Sequence, residues 1–299
     1  MIISTGTDIA KELFTGDNPF LTLKKIGYDA CDYGDPCSMF AERDPIYFGS
    51  EDRFMKYFEE QYALAKEAGI EVGQVHAPSR TYEYSEFTQD EINEGLKRAI
   101  VATSIMHAPY LVIHPAQPHE WANDPDPEFT KEANYKIFSS LIPTAKEYGV
   151  TLALENMPAR VKRIPCSSPE EWMEFVDMMA SDSFAACFDS GHANMARNYA
   201  EMPTPHEVED YVRMMGKRIV CVHIHDNDGH GDDHTILGTC TAGNIRWKCL
   251  IAALKDINYI GSFNLESDFS IRIPEKVRLE AETFQYHLVK AMLESEGAL

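Results

Sequence analysis

The chain has no C-x-x-C pair, no glycine-rich phosphate loop, and no apolar run approaching the length of a bilayer span. Each absence removes a class of function. Without paired cysteines, neither a thiolate zinc site nor a dithiol redox centre has its usual ligands. Without G-x-G-x-x-G or a P-loop, a nucleotide cofactor is not indicated. Without about 20 consecutive apolar residues, no helix spans a membrane and no membrane partner is expected. Basic residues are scarce: 27 Lys and Arg stand against 48 Asp and Glu, a formal net charge of −21 over 299 residues. Such a surface repels a phosphate backbone, and no block of Lys or Arg forms a local groove against it. Nucleic acid is therefore not an expected partner.

The seven cysteines are odd in number, and no signal-peptide pattern opens the sequence. Both features point to a reducing, cytoplasmic setting. Cys187 and Cys221 fall inside apolar runs and read as small buried hydrophobes. No low-complexity segment or linker divides the chain, so residues 1–299 are expected to form a single domain.

What is present is a regular alternation. Short β-rich runs, "MIIST", "YDACDYG" (28–34), "VGQVHAP" (72–78), "YLVIHPA" (110–116), "VTLALEN" (150–156), "FAACFDS" (184–190), "IVCVHIH" (219–225) and "SFNLES" (262–267), are separated by helix-like stretches. Two such stretches are residues 51–69, ending on Gly69, and residues 167–180, opening at Ser168, Pro169 and Glu171. Several strands are apolar along their length, which suits strands covered on both faces. Eight strands alternating with helices predict a (β/α)8 barrel; a doubly wound sheet is the competing architecture.

The strands end on ligand-type residues: His76, His114, Glu155, Asp189, His223 and Glu266. A barrel gathers its C-terminal strand ends at one mouth, so side chains far apart in sequence can face a common point. Carboxylate oxygens with imidazole nitrogens suit one divalent ion such as Mn, Zn, Co or Mg. Further candidates follow the strands: His192 three residues past Asp189, and Asp232 and His234 in the crowded stretch "VHIHDNDGHGDDHT" (222–235).

Taken in order, "VHAP", "VIHP", "LEN", "FDSGH", "VHIHDNDG…DDH" and "NLES" resemble the xylose-isomerase-like TIM-barrel superfamily, over about Val72 to Ser267. That superfamily includes ketose 3-epimerases and inosose dehydratases and is related to endonuclease IV. The resemblance implies a metal held by Glu155, Asp189, His223 and Glu266. His223 is preferred over His225 for its H-x-x-acid spacing to Asp226, with His225 the alternative. It also implies isomerase or epimerase chemistry on a small sugar or polyol, free or phosphorylated, through an enediolate, with Glu155 and Glu266 as the acid/base pair. Dehydration of a keto-polyol such as an inosose is an alternative. A multinuclear zinc phosphoesterase is another, because His76, His114, His192, Asp232 and His234 match the extra ligands of the endonuclease relatives. In sugar-acting members these residues, with His225, would instead contact substrate. A homo-dimer or homo-tetramer is likewise implied by the resemblance.

The remaining candidates carry weaker signals. Arg160 and Arg246 are candidates for a substrate phosphate or carboxylate, with surface ion pairs as the plainer role. Trp121 and Trp247 are candidates for stacking on a sugar face. Gly191, Gly229, Gly231 and Gly238 are expected to serve backbone turns. The aromatic stretch 47–62 is expected to pack as an amphipathic helix against the barrel.

Overall fold

The apolar runs form eight parallel strands whose register closes on itself. In the computed structural model, which describes residues 1–8, 18–78, 87–116, 127–159, 164–199, 203–267 and 274–299, the strands are β1 (Ile2–Gly6), β2 (Ala30–Tyr33), β3 (Glu71–His76), β4 (Tyr110–Ile113), β5 (Thr151–Glu155), β6 (Phe184–Asp189), β7 (Ile219–Ile224) and β8 (Ser262–Leu265). Each pairs with its sequence neighbours, and β1 pairs with β8 to complete a closed barrel. This is the (β/α)8 architecture, not the doubly wound sheet. Trp121 and Arg160 lie outside the described residues.

The crossovers include α1 (Pro19–Ile26), α2 (Asp35–Ala41), α3 (Glu51–Ala68), α4 (Gln89–Ile105), α5 (Pro127–Tyr148), α6 (Pro169–Met178), α7 (Ser190–Asn198), α8 (Val208–Met215), α9 (Trp247–Asp256) and α10 (Arg278–Ser295). Their ends follow local chemistry. Helix α3 stops at Gly69, whose φ of 69° is a left-handed cap that an L side chain rarely adopts. Ser168 caps α6 by accepting the Glu171 N–H, and Thr88 with Glu91 forms a capping box on α4. The aromatic stretch packs as expected, burying Phe54 and Phe58 of α3 and Tyr47 before it. Trp172 of α6 is fully buried and donates its indole N–H to the Leu154 carbonyl at 2.9 Å. Truncating a side chain of that size and burial costs about 3–5 kcal/mol.

Strand alternation decides what fills the barrel. Successive inward positions are two residues apart, so each strand-end ligand shares a face with the residue two before it. On β4 to β7 those lower residues are small: Val112, Ala153, Cys187 and Cys221 pack together as a separate apolar cluster. They sit directly under His114, Glu155, Asp189 and His223. Cys187 and Cys221 are thus buried, as expected.

The other half of the barrel is polar. Asp32 Oδ2 on β2 accepts from Gln74 Nε2 (2.9 Å), Asn264 Nδ2 (3.3 Å) and the ring of His223 (3.1 Å), while Ser4 Oγ donates to Asn264 Oδ1 at 2.8 Å. Branched apolar residues usually occupy this layer of such barrels. Here a hydrogen-bonded ring replaces them, and burial of Asp32 is offset by three donors.

Outside the barrel, Glu282 of α10 is fully buried and accepts the Tyr28 O–H at 2.6 Å. Burial raises its carboxyl to about 7.

Candidate metal centre and active-site cavity

A cavity of about 430 Å³ opens at the C-terminal ends of the strands. Its wall includes His76, His114, Glu155, His192, Asp232, His234 and Glu266, the set that the strand ends and the β7 loop pointed to. Asp189, His223 and His225 lie fully buried beside it. Arg246 does not belong to the wall. It pairs with Glu209 at 2.6 Å and Glu207 at 3.5 Å, the surface role.

Four side chains offer ligand atoms that all lie within 4.8 Å of one another: Glu155, Asp189, His223 and Glu266. The same spacing holds for His76–Glu155–His223, for Asp189–His192–His225 and for His225–His234–Glu266. Glu155 is the junction. Its Oε2 meets His114 Nε2 at 2.9 Å and His76 Nε2 at 3.8 Å, and its Oε1 meets His223 Nδ1 at 3.1 Å and His192 Nδ1 at 3.4 Å. Asp232 joins from the loop, 3.5 Å from His192 Nε2 and 3.3 Å from His234 Nε2.

Three of the histidines are oriented by the same device. Nδ1 bonds a backbone carbonyl in each: Ala77 for His76 (2.8 Å), Asn156 for His192 (2.8 Å) and Glu266 for His234 (2.6 Å). A carbonyl accepts only, so Nδ1 carries a proton, and Nε2 is the nitrogen turned toward the carboxylates, a donor to them when protonated and a metal ligand when not. Metal-ligating histidines are commonly held this way.

The charges follow from the crowding. Burial would push Glu155 up, but the fields of His223 and His114 hold it well below the usual carboxylate range. Asp189 is likewise lowered, by His192 and His225 against burial. Burial would lower His192 and His234, but their neighbours raise them to about 10 and about 9, through Asp189 and Asp232 for His192 and through Asp232 and Glu266 for His234. Glu155 and Asp189 are thus ionised and draw positive charge toward themselves.

The two β7 histidines face the same way at different depths, as strand alternation requires, but their surroundings differ. His223 is clamped: Nδ1 bonds Glu155 Oε1 and Nε2 bonds Asp32 Oδ2, both at 3.1 Å. His225 is fully buried, with Nε2 3.2 Å from Asp189 Oδ1, yet among the described residues neither ring nitrogen has a hydrogen-bond partner. Asp189 Oδ2 is also buried without one. Buried polar atoms are seldom left so, and a cation between them satisfies both. The donor set therefore fits a divalent ion. Asp226, whose spacing favoured His223, serves the loop instead: its carboxylate accepts the Asn227 and Gly238 N–H groups, and its backbone pairs with Thr235.

The crowded stretch 222–235 thus divides into two buried strand histidines, a loop organised by Asp226 and Asn227, and a return that carries Asp232 and His234 to the cavity. Asp189 does double duty, since Oδ1 also accepts the His192 N–H and caps α7. The expectation of a turn at Gly191 needs correction. It lies in the first turn of α7, and a Cβ there would sit 1.9 Å from His225 Cε1. Its missing side chain makes room for the imidazole. Gly229 and Gly238, with φ of 83° and 70°, do serve turns.

Some cavity residues carried no signal that singled them out. Asp32, Cys37 and Asn264 all line the wall. Cys37 contacts the ring of His76 by a hydrogen bond. An acidic residue in an otherwise apolar β2 run was the one available clue to this side.

A sequence model of the family described as xylose isomerase-like TIM barrel matches residues 20–285. The chain belongs to this family. A curated relative of this xylose isomerase-like chain is an uncharacterized protein of Methanocaldococcus jannaschii, 30% identical over 205 residues, 64% of this chain and 63% of that protein. The chain spans less than two thirds of the length of the curated relatives it matches. D-psicose 3-epimerase from Clostridium cellulolyticum H10, solved with D-tagatose, is similar at a TM-score of 0.71 and 15% identity, covering 98% of this chain and 99% of that one. The IolI protein solved with a zinc atom is similar at a TM-score of 0.68 and 19% identity, covering 96% of each chain. At these identities the likeness shows the shared barrel fold.

Proposed function

We propose that this protein is a divalent-metal-dependent isomerase or epimerase of a small sugar or polyol. The observation that carries the reading is the meeting of Glu155, Asp189, His223 and Glu266 at ligand distance in one cavity, with His225 grouped beside them with Asp189 and, separately, with Glu266. The bound ion supplies Lewis acidity toward a substrate carbonyl and its neighbouring hydroxyl. Glu155, Asp189 and Glu266 hold it together with one nitrogen. We place that nitrogen at His225, whose ring has no hydrogen bond, rather than at His223, which already grips two carboxylates.

Glu155 and Glu266 come from strands on different sides of the mouth and serve as proton acceptor and donor across the substrate. Each such transfer is typically worth 10²–10⁴-fold, about 3–5 kcal/mol. Burial and water exclusion around Glu155 strengthen its interactions at the reacting carbon. The epimerase and the zinc-bound protein among the similar structures support this reading. It is tested by assaying metal-loaded protein against ketoses, aldoses and inososes. Carbon inversion or carbonyl migration supports it. A product lighter by one water makes the enzyme a dehydratase.

A second reading is favoured by one observation: the additional groupings around His76, His192 and His234, each with Nε2 turned inward. These are donors enough for more than one ion and fit a multinuclear phosphoesterase. Metal stoichiometry separates the two. One ion per chain supports the sugar enzyme; two or three zincs with cleavage of an abasic duplex support the phosphoesterase.

A further inference from the structure

The cavity has a second polar pole. Away from the histidine groups, on the side of β1, β2 and β8, its wall includes Gly6, Asp8, Asp32, Gly34 and Asn264. Asp32 is only 5% exposed, and its two oxygens are used unequally. Oδ2 accepts from Gln74, Asn264 and His223, which satisfies it. Oδ1 is buried and has no hydrogen-bond partner among the described residues. Gln74 Oε1 is likewise without a partner, but it is neutral and its residue is not part of the cavity wall. An ionised oxygen left without a donor in a buried site costs more than a neutral one, so a donor is expected to meet it in use.

We propose that Asp32 Oδ1 is the acceptor for a hydroxyl group at the far end of a neutral polyhydroxylated substrate whose reacting end lies at Glu155 and Glu266. The proposal rests on the sugar-enzyme reading above and adds to it a subsite and a substrate class.

Three features favour a neutral hydroxyl. First, Asp32 is separated from Glu155 by the width of one imidazole, since His223 bonds both carboxylates. A chain of several carbons bridges that gap, whereas a two-carbon substrate does not. Second, the cavity wall at this pole presents carboxylate and amide oxygens, and no Lys or Arg among the described residues lines it. An anionic terminus there would face Asp32 directly. Third, Gly6 adds no side chain to this part of the wall, and a Cβ built there meets nothing within 4 Å, leaving width for a substituted carbon. Asp32 is held from behind by three donors, so its free oxygen is fixed before substrate arrives. A fixed acceptor loses little entropy on binding.

The test uses full-length protein loaded with Mn or Co and titrated calorimetrically with D-fructose and with 6-deoxy-D-fructose. Wild type should bind D-fructose about 10- to 100-fold more tightly than the 6-deoxy analogue, the usual range for a hydrogen bond to a charged group. Asp32→Asn should bind the two sugars within about threefold of each other while retaining the wild-type metal content. Equal binding of both sugars by wild type overturns the proposal without using any variant, and it leaves the metal-enzyme reading standing. Preferential binding that survives unchanged in Asp32→Asn also overturns it, placing the hydroxyl elsewhere. Failure of the metal-loaded wild type to bind any neutral sugar or myo-inositol overturns the sugar-enzyme reading and this subsite with it.

Discussion

His225 lies flat against His234, ring centroids 3.9 Å apart and planes 9° from parallel. Asp189 and Asp232 approach the same pair at 3.2 Å and 3.3 Å respectively. Two imidazoles stacked this closely are held apart electrostatically if both are protonated, and drawn together if a shared cation replaces their protons. The first expectation follows from that. Adding Mn, Co or Zn to metal-stripped protein should raise the melting temperature by several degrees, since ligand at 100 times its dissociation constant stabilises by about 2.7 kcal/mol. Chelation should reverse the shift. Scanning calorimetry with and without chelator checks it, and indifference to every divalent ion counts against the metal centre.

Glutamine at either position proposed to transfer a proton should retain shape and lose the transferable charge. Glu155→Gln and Glu266→Gln are each expected to lower kcat by roughly 10² or more while leaving the far-ultraviolet circular dichroism unchanged. Wild-type turnover in either variant would remove that residue from the chemistry.

The two β7 histidines should separate by the kind of damage their loss causes. His223→Ala leaves Asp32 and Glu155 buried without their shared partner, a change expected to cost about 3–5 kcal/mol of stability. His225→Ala removes a ring with no hydrogen bonds, so stability should fall less, while metal affinity falls by tenfold or more. Denaturant titration and metal titration on both variants decide. Weaker metal binding in His223→Ala alone, at preserved stability, would return the ligand role to His223.

Gly191→Ala is expected to act like a partial loss of His225. The added methyl meets the imidazole at a distance no pair of atoms tolerates, so the ring must move. Metal affinity should drop, although alanine is the better helix former and α7 itself gains up to about 1 kcal/mol. Unchanged affinity would mean that the ring has room to shift without consequence.

Glu282 sets a pH dependence remote from the site. Its carboxyl is raised from the ordinary 4.5 to about 7 by burial, so the folded chain holds a proton that the unfolded chain releases. Stability from this group is complete below pH 4.5 and is lost as pH rises through 7. Between those two values it declines by about 1.4 kcal/mol for each pH unit. Glu282→Gln, which cannot ionise, should therefore gain on wild type by about 3 kcal/mol on going from acid to pH 8. A stability difference flat with pH would show that Glu282 titrates alike in the folded and unfolded chain.

The barrel and the carboxylates and histidines that close its strands were legible because both are periodic. An apolar strand recurs after each helix, and the residue closing the strand repeats in chemical type, so Glu155, Asp189 and His223 could be read without contacts. Residues at the mouth became legible only in three dimensions. Asp32 belongs to a strand too short to show alternation, and its role depends on His223, 191 positions away. Gly191 resembled any glycine after a serine, because the ring it accommodates arrives from another strand. The choice between His223 and His225 rests on what their nitrogens meet, and spacing along β7 is silent on that.

Both β7 histidines depend on the placement of one strand. Its pairing with β6 already contains an irregularity between Ala186 and Cys187, after which Cys187 faces Cys221 and Asp189 faces His223. Sliding β7 by a single residue would turn His223 and His225 outward together and strip Asp32, Glu155 and Asp189 of the imidazoles that stand between them. An insertion within the strand is thus ruinous to both histidines. The loop that follows returns Asp232 and His234 to the cavity only because the six residues of the strand hold the instrument in tune.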